Sequence, residues 1–179
     1  MISTGLFAML AFFVFAQAAA LRGSGQSAAD AAALAAVREA RDNLYEEFLA
    51  AAGEDGVDLA EIIAGDSFAV GSACGEAQRL AARNGATLAE CSPLSGRLGY
   101  TVFVETGSEV NQTVIPGVGG QRARAEATAV MESLCDIREG EADDDFPELS
   151  CDGESWWLDP DEEVTGIEPR DLFGIRLED

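Results

Sequence analysis

From Met1 to Leu21 the chain reads MISTGLFAMLAFFVFAQAAAL, with no charged side chain and Gln17 as its only strongly polar one. A helix rises 1.5 Å per residue, so this run is about 30 Å long, the thickness of a bilayer's hydrocarbon core. The stretch over residues 1–21 is therefore read as a transmembrane segment or uncleaved signal anchor. Residues 22–179 then form one exported domain. A cleaved signal peptide is the alternative, since AQAAAL offers small residues to a peptidase, but the basic n-region of such peptides is absent. Arg22 is the only nearby charge, so flanking basic residues do not fix the orientation.

The rest of the chain is strongly acidic. The formal charge is −22, from 33 acidic and 11 basic residues, and every basic residue is arginine. A nucleic-acid duplex carries about one negative charge per 1.7 Å, so binding it needs a basic face that this composition does not supply. Histidine is absent. With it go the commonest general base and the commonest metal ligand. No catalytic residues, metal ligands or cofactor are assigned.

Four cysteines, Cys74, Cys91, Cys135 and Cys151, form two close pairs separated by a long interval, with no CxxC motif among them. In an exported chain an even set points to two disulfides. Three connectivities are possible. The local one, Cys74 to Cys91 and Cys135 to Cys151, is favoured because each pair flanks one predicted element and its turn. Buried free thiols are the alternative.

Arg22-Gly-Ser-Gly25 bends or loosens a helix that resumes near Ser27. Between Ala28 and Ala51 there is no glycine or proline, and Leu34, Val37, Leu44 and Phe48 trace a heptad-like seam interrupted at Arg41. Ala28, Ala32, Ala36 and Ala40 add a small-residue stripe at i, i+4, a spacing that lets another backbone come close. Plain helix propensity is the simpler account of those alanines. Together Ala28, Ala32, Leu34, Ala36, Val37, Leu44 and Phe48 are the expected helix-packing interface.

After Gly53-Glu-Asp-Gly56 breaks the helix, Asp58 is placed to cap a short helix, DLAEII. Val70 to Asn84 reads as a helix with Cys74, Ala77, Leu80 and Ala81 on one face, stopped by Asn84-Gly85. The period then changes to two. ATLAEC and RLGYTVFVET read as strands joined by the turn SPLSG, with Tyr100, Val102 and Val104 on one face and Thr101, Phe103 and Glu105 on the other. RARAEATAVM, residues 122–131, reads as a strand paired near 98–105. An acidic loop follows near 139–148, and CDGESWWLD and DLFGIRLED each offer an edge strand.

Several features suggest chemistry, and each has a plainer account. Asp143, Asp144, Asp145, Asp159, Asp161, Glu162 and Glu163 have the donor type for calcium, but no D-x-[DN]-x-[DN]-G loop occurs and a solvated acidic surface explains them. Trp156-Trp157 is read as core packing, with one indole inside and one at an edge, ahead of a binding platform. Gly117-Val-Gly-Gly120 lacks the lysine of a phosphate loop and reads as a hairpin turn after Pro116. Asn111-Gln-Thr113 matches the glycosylation sequon.

The order of an apolar segment, QSAADAAALAAVREARD, SACGEAQRLAARNGATLAEC, TVFVET and ATAVME resembles the TadE/TadG-type pilus-assembly proteins of actinomycetes. The junction Q-x-AADAAALAA is its most specific element, and the similarity runs over nearly the whole chain. The CDGESWWLDP and DLFGIRLED segments are similar to a streptomycete TadG-related subgroup. The resemblance implies a single-pass, pilin-like envelope protein of the Flp-type tight-adherence system, a minor pilin or assembly factor. Prepilins cut by the dedicated peptidase carry Gly or Ala before the cut and Glu five residues after it, whereas here Gly5 is followed by LFAML.

The expected architecture is thus α+β and pilin-like: a long N-terminal helix, transmembrane in its first half, packed on one small antiparallel sheet with one further helix. The expected protein is non-enzymatic, sits in the cell membrane with its C-terminal domain outside or within an extracellular fibre, and meets other pilin-like or pilus-assembly subunits through the N-terminal helix. The alternative is a membrane-anchored extracellular binding module whose acidic surface takes calcium or a basic ligand.

Overall fold

One helix, α1 (Ile2–Ala52), runs without interruption through Arg22-Gly-Ser-Gly25. The computed structural model describes residues 2–52, 57–65, 72–107, 122–138, 146–159 and 164–178, with only some side chains described before Gly23. Two glycines cost a helix about 1 kcal/mol each relative to alanine, too little to break one whose next turns are buried. Gly25 has a packing reason instead: a Cβ there would lie 3.2 Å from Thr106 Cγ2 and 3.6 Å from Ala125 Cβ. The expected bend is therefore a point of close approach.

Three shorter helices accompany α1 among the described residues, the two read from the sequence at DLAEII and Val70 to Asn84 and one more near the C-terminus, where the expected architecture counted one further helix. α2 (Leu59–Ala64) starts on Asp58, whose Oδ1 accepts from the amides of Ala60 at 2.9 Å and Glu61 at 3.4 Å. It ends on Gly65 at φ 83°, a left-handed conformation suited to glycine, and a Cβ there would also strike Leu98. α3 (Ala73–Arg83) buries Ala73, Ala77 and Ala81, with Cys74 and Leu80 half-buried. The third, α4 (Pro169–Leu172), is a single turn set by Pro169 and by a capping box between Glu168 and Asp171.

The main sheet is antiparallel throughout. Its strands are β1 (Ala86–Pro93), β2 (Gly99–Thr106), β3 (Arg124–Ser133) and β7 (Phe173–Glu178), in that spatial order. β2 follows its alternation closely: Tyr100, Val102 and Val104 are buried, while Thr101, Phe103 and Glu105 are half-exposed. Opposite them on β3 stand Ala129, Ala127 and Ala125. On the other face Thr101 meets Thr128, with hydroxyls 2.8 Å apart, and Glu105 meets Arg124.

A bulge decides where Cys91 points. Leu88 pairs with Val104, but Glu90 already pairs with Phe103 and Cys91 with Val102, so Ala89 is the extra residue. Strict alternation would put Cys91 on the face opposite Ala86 and Leu88. The bulge returns it to the core face, where it closes the disulfide to Cys74 on α3, 17 residues away.

A second sheet replaces the single one expected, and it is built from the acidic part of the chain. β4 (Cys135–Arg138), β5 (Glu148–Cys151) and β6 (Glu154–Trp157) form an antiparallel meander in that order. The chain leaves the main sheet at Leu134. The Ser133 hydroxyl accepts from the Cys135 amide and donates to its carbonyl, and the Leu134 amide donates to Leu172, so the backbone turns out of the β3 line. CDGESWWLD is two strands rather than one, because Asp152 and Gly153 at φ 43° and 93° make the positive-φ turn that joins a tight hairpin. Cys135 stands directly opposite Cys151, and their disulfide closes the meander.

Both layers share one core. Ala28, Ala29, Ala32, Ala33, Ala36, Val37, Ala40, Leu44 and Phe48 of α1 are buried in it with the alanines of α3 and β3. Tyr45 fastens the C-terminal segment to α1 by donating its hydroxyl to the Ile167 carbonyl at 2.8 Å. Ala32→Leu is expected to destabilise the domain by about 1–3 kcal/mol, since added methylenes have no space between α1 and its neighbours. Ala50→Leu, on the exposed side, serves as the control. Urea unfolding of the disulfide-bonded full chain in detergent measures both, and equal midpoints would contradict close packing.

Candidate interaction surfaces

The expected packing residues are distributed unevenly. Ala28, Ala32, Ala36, Val37, Leu44 and Phe48 are all buried inside the molecule, each at 1% exposure or less. They are occupied by the chain's own sheet and α3 and are not open to another subunit. Leu34 differs. It is half-buried and lines a shallow groove between α1 and α3 with Ala31, Ala35, Arg38, Arg79 and Leu80.

The first half of α1 has the opposite character. Every described side chain from Gly5 to Ser24 is exposed, including Met9 at 76%, Phe12 at 76%, Phe13 at 61% and Phe15 at 74%. From Ile2 to Ser24 the helix extends roughly 35 Å at 1.5 Å per residue. Among the described residues no helix is long and apolar enough to cross a membrane, and several side chains of the expected 1–21 span lie outside them.

On the small sheet, alternation divides the two indoles as expected. Trp156 stands opposite Leu149 and packs on the core, while Trp157 stands opposite Glu148 and is 66% exposed. The remaining candidates, Asp143, Asp144, Asp145, Asp161, Glu162, Glu163, Gly117 to Gly120 and the sequon at Asn111, lie outside the described residues. So does most of the acidic loop. Asp159 is described, and among the described residues no group of three or more acids or cysteines is placed to hold a metal ion. All four cysteines are in disulfides.

Two contacts had no signal in the sequence. Asn43 of α1 donates to the Ser72 hydroxyl at 2.8 Å, which places the start of α3. Arg97 makes a bidentate contact with Glu178, at 2.6 and 3.1 Å, and ties the approach to β2 to the end of β7. Their partners are far apart in the chain, joined in one case by the packing of α1 on α3 and in the other by the strand order.

The described surface holds few perturbed groups. Hydrogen bonds from Arg97 hold the Glu178 carboxyl below its ordinary value, and those from Arg79 do the same for Glu76. Burial pushes the Tyr100 phenol up. No buried side-chain nitrogen or oxygen among the described residues lacks a hydrogen-bond partner. The chain matches no protein-family model, and none of the curated proteins or solved structures compared with it is similar.

The depressed Glu178 value fixes the sign of an acid effect. The pair's contribution is fully present above the ordinary carboxyl value of 4.5 and is lost as pH falls through the lower, folded value. Both side chains meet solvent, so the contribution is small. In Arg97→Gln the Glu178 carboxyl is expected to titrate at a higher pH than in the wild type, read from its side-chain carbon shift in a pH series. An unchanged midpoint would mean that the guanidinium does not act on it.

Proposed function

We propose that this protein is a non-enzymatic envelope component, held in a cell membrane by the first half of α1 with its α+β domain outside. In this reading it serves as a minor-pilin-like or assembly subunit of a tight-adherence (Flp/Tad) type IV pilus or related secretion system. The pilus setting rests on the resemblance to TadE/TadG-type proteins carried by QSAADAAALAAVREARD and the segments after it.

The division of α1 is the observation that supports the anchor. Its second half is buried in its own domain, and every described side chain of its first half is exposed, with three phenylalanines at 61–76%. Water is a poor neighbour for aromatic side chains gathered within a few turns. A bilayer, or the apolar helices of other subunits, accepts them. Because the alanine stripe is closed by the domain itself, partner subunits meet the first half of α1 and the outer groove at Leu34 and Leu80.

The test begins with fractionation of cells making the full chain. The wild type is expected to sediment with membranes and resist alkaline extraction, whereas Phe13→Asp costs insertion about 3 kcal/mol and releases part of it. A wild-type chain found in the soluble fraction would sink the anchor. A membrane-held chain whose deletion leaves pilus number and surface adhesion unchanged would remove the pilus assignment. In that case saturable calcium binding by calorimetry identifies the anchored binding module instead.

A further inference from the structure

We propose that the end of the domain from which α1 projects is a docking surface for anionic lipid headgroups, with Arg83, Arg122 and Arg124 as its phosphate-binding groups. This rests on the membrane anchor proposed above. The strand register gathers the three arginines. Gly25 of α1 lies against Thr106 and Ala125. At the same level the Thr106 amide donates to the Ala123 carbonyl at 2.9 Å, the Ala123 amide donates to the Thr106 hydroxyl at 3.1 Å, and the Gly107 amide donates to the Gly85 carbonyl at 2.7 Å. The end of α3, the end of β2 and the start of β3 thus form one rim around the emerging helix.

All three arginines are exposed. Arg124 keeps 81% of its side chain in solvent although it pairs with Glu105 at 2.6 Å. Within residues 81–87, 104–107 and 122–126 the acids are Glu105 and Glu126, against three arginines. That composition is unusual in a chain with 33 acids and 11 arginines. More than half of the acids follow Met131, where Arg138, Arg170 and Arg176 are the only basic residues. β3 leads from the rim to the opposite end, where Ser133 passes into β4. The acid-rich part of the chain therefore begins at the end away from the emerging helix.

Guanidinium groups bind phosphate through paired N–H donors and attract an anionic surface within a Debye length. A helix that enters the bilayer beside the rim brings these groups to headgroup depth. Charge complementarity and continuity with the aromatic half of α1 favour lipid as the occupant. A second copy, offering acidic residues of its own, is the competitor that the test must separate.

The experiment uses the full chain at one copy per nanodisc and reads amide hydrogen exchange by mass spectrometry. Peptides covering 81–88 and 122–127 are expected to exchange several-fold more slowly in discs containing phosphatidylglycerol than in phosphatidylcholine alone, while the β6 peptide is unchanged. Arg83→Gln/Arg122→Gln/Arg124→Gln, whose disulfides are mapped to confirm the fold, removes the difference. Each arginine lost lowers the docked-to-undocked ratio by roughly fivefold. Equal exchange in both lipids with normal reconstitution overturns this inference and leaves the anchor standing. Protection that follows copies per disc rather than lipid charge overturns it in favour of a second copy. Failure to enter either disc overturns both readings.

Discussion

Contact between small side chains fixes how close α1 lies to the sheet, and the rest of the molecule is arranged around that distance. The buried positions of α1 run from Gly25 through Ala28, Ala29, Ala32, Ala33 and Ala36 to Val37, Leu44 and Phe48. Across from them β3 runs from Ala125, Ala127 and Ala129 to Met131, and β2, read in the same direction, from Thr106, Val104 and Val102 to Tyr100. The β2 and β3 series grow in volume toward the same end, and α1 adds Val37, Leu44 and Phe48 in that direction before Ala51 and Ala52 close it. Interiors pack without large voids, so the core is a wedge, narrow where α1 emerges and wide where it ends. The wide end accommodates Phe48, Tyr100 and Phe173 together with the second sheet and the C-terminal segment.

The two disulfides act at places that the wedge leaves least supported. Cys74–Cys91 joins α3 to β1, which is an edge strand of the main sheet. Cys135–Cys151 closes a three-stranded sheet whose strands have four residues each and whose buried apolar residues are few, Leu149 foremost. Loops of 17 and 16 residues limit the unfolded chain by about 3 kcal/mol apiece in the entropy model. That is appreciable for a sheet carrying so much like charge. The sequence gains local stability there by covalent closure where burial supplies little.

Local signals were legible, and long-range ones were not. The periodicity of α1, the alternation of β2, the cap at Asp58 and the nearest-neighbour cysteine pairs all depend on residues close in the chain, and each reappears in the structure. The Asp152-Gly153 hairpin was also legible, since Asp-Gly between short polar-apolar runs is a strong turn signal and divides CDGESWWLD after its first residue. The bulge at Ala89 has no such mark, because it answers to the position of Cys74 on a different element. The departure of the chain at Leu134 depends on a carbonyl from Leu172. For the surfaces the contrast is similar. Hydropathy alone singles out the start of α1, whereas Arg83 comes to the same end of the domain as Arg122 and Arg124 only through the ends of α3, β2 and β3.

The unbroken helix has a mechanical consequence. Arg22-Gly-Ser-Gly25 looks like a joint between two segments, but Gly25 is held between Thr106 and Ala125, and Gln26 donates to the Glu126 carbonyl at 3.1 Å. The helix is thus clamped to the sheet at the point where a hinge would have to act. A turn of helix bends sharply only where its hydrogen-bond ladder is interrupted, by proline, by an inserted group or by glycine free to leave the helical region. Of the two glycines in Arg22-Gly-Ser-Gly25, Gly23 has open space around it and keeps that freedom, just outside the clamp. Whatever holds the first half of α1 therefore sets the direction of the domain to within the bend that Gly23 allows. Burial of the alanine face, rather than the linker, sets how this protein is presented to its surroundings.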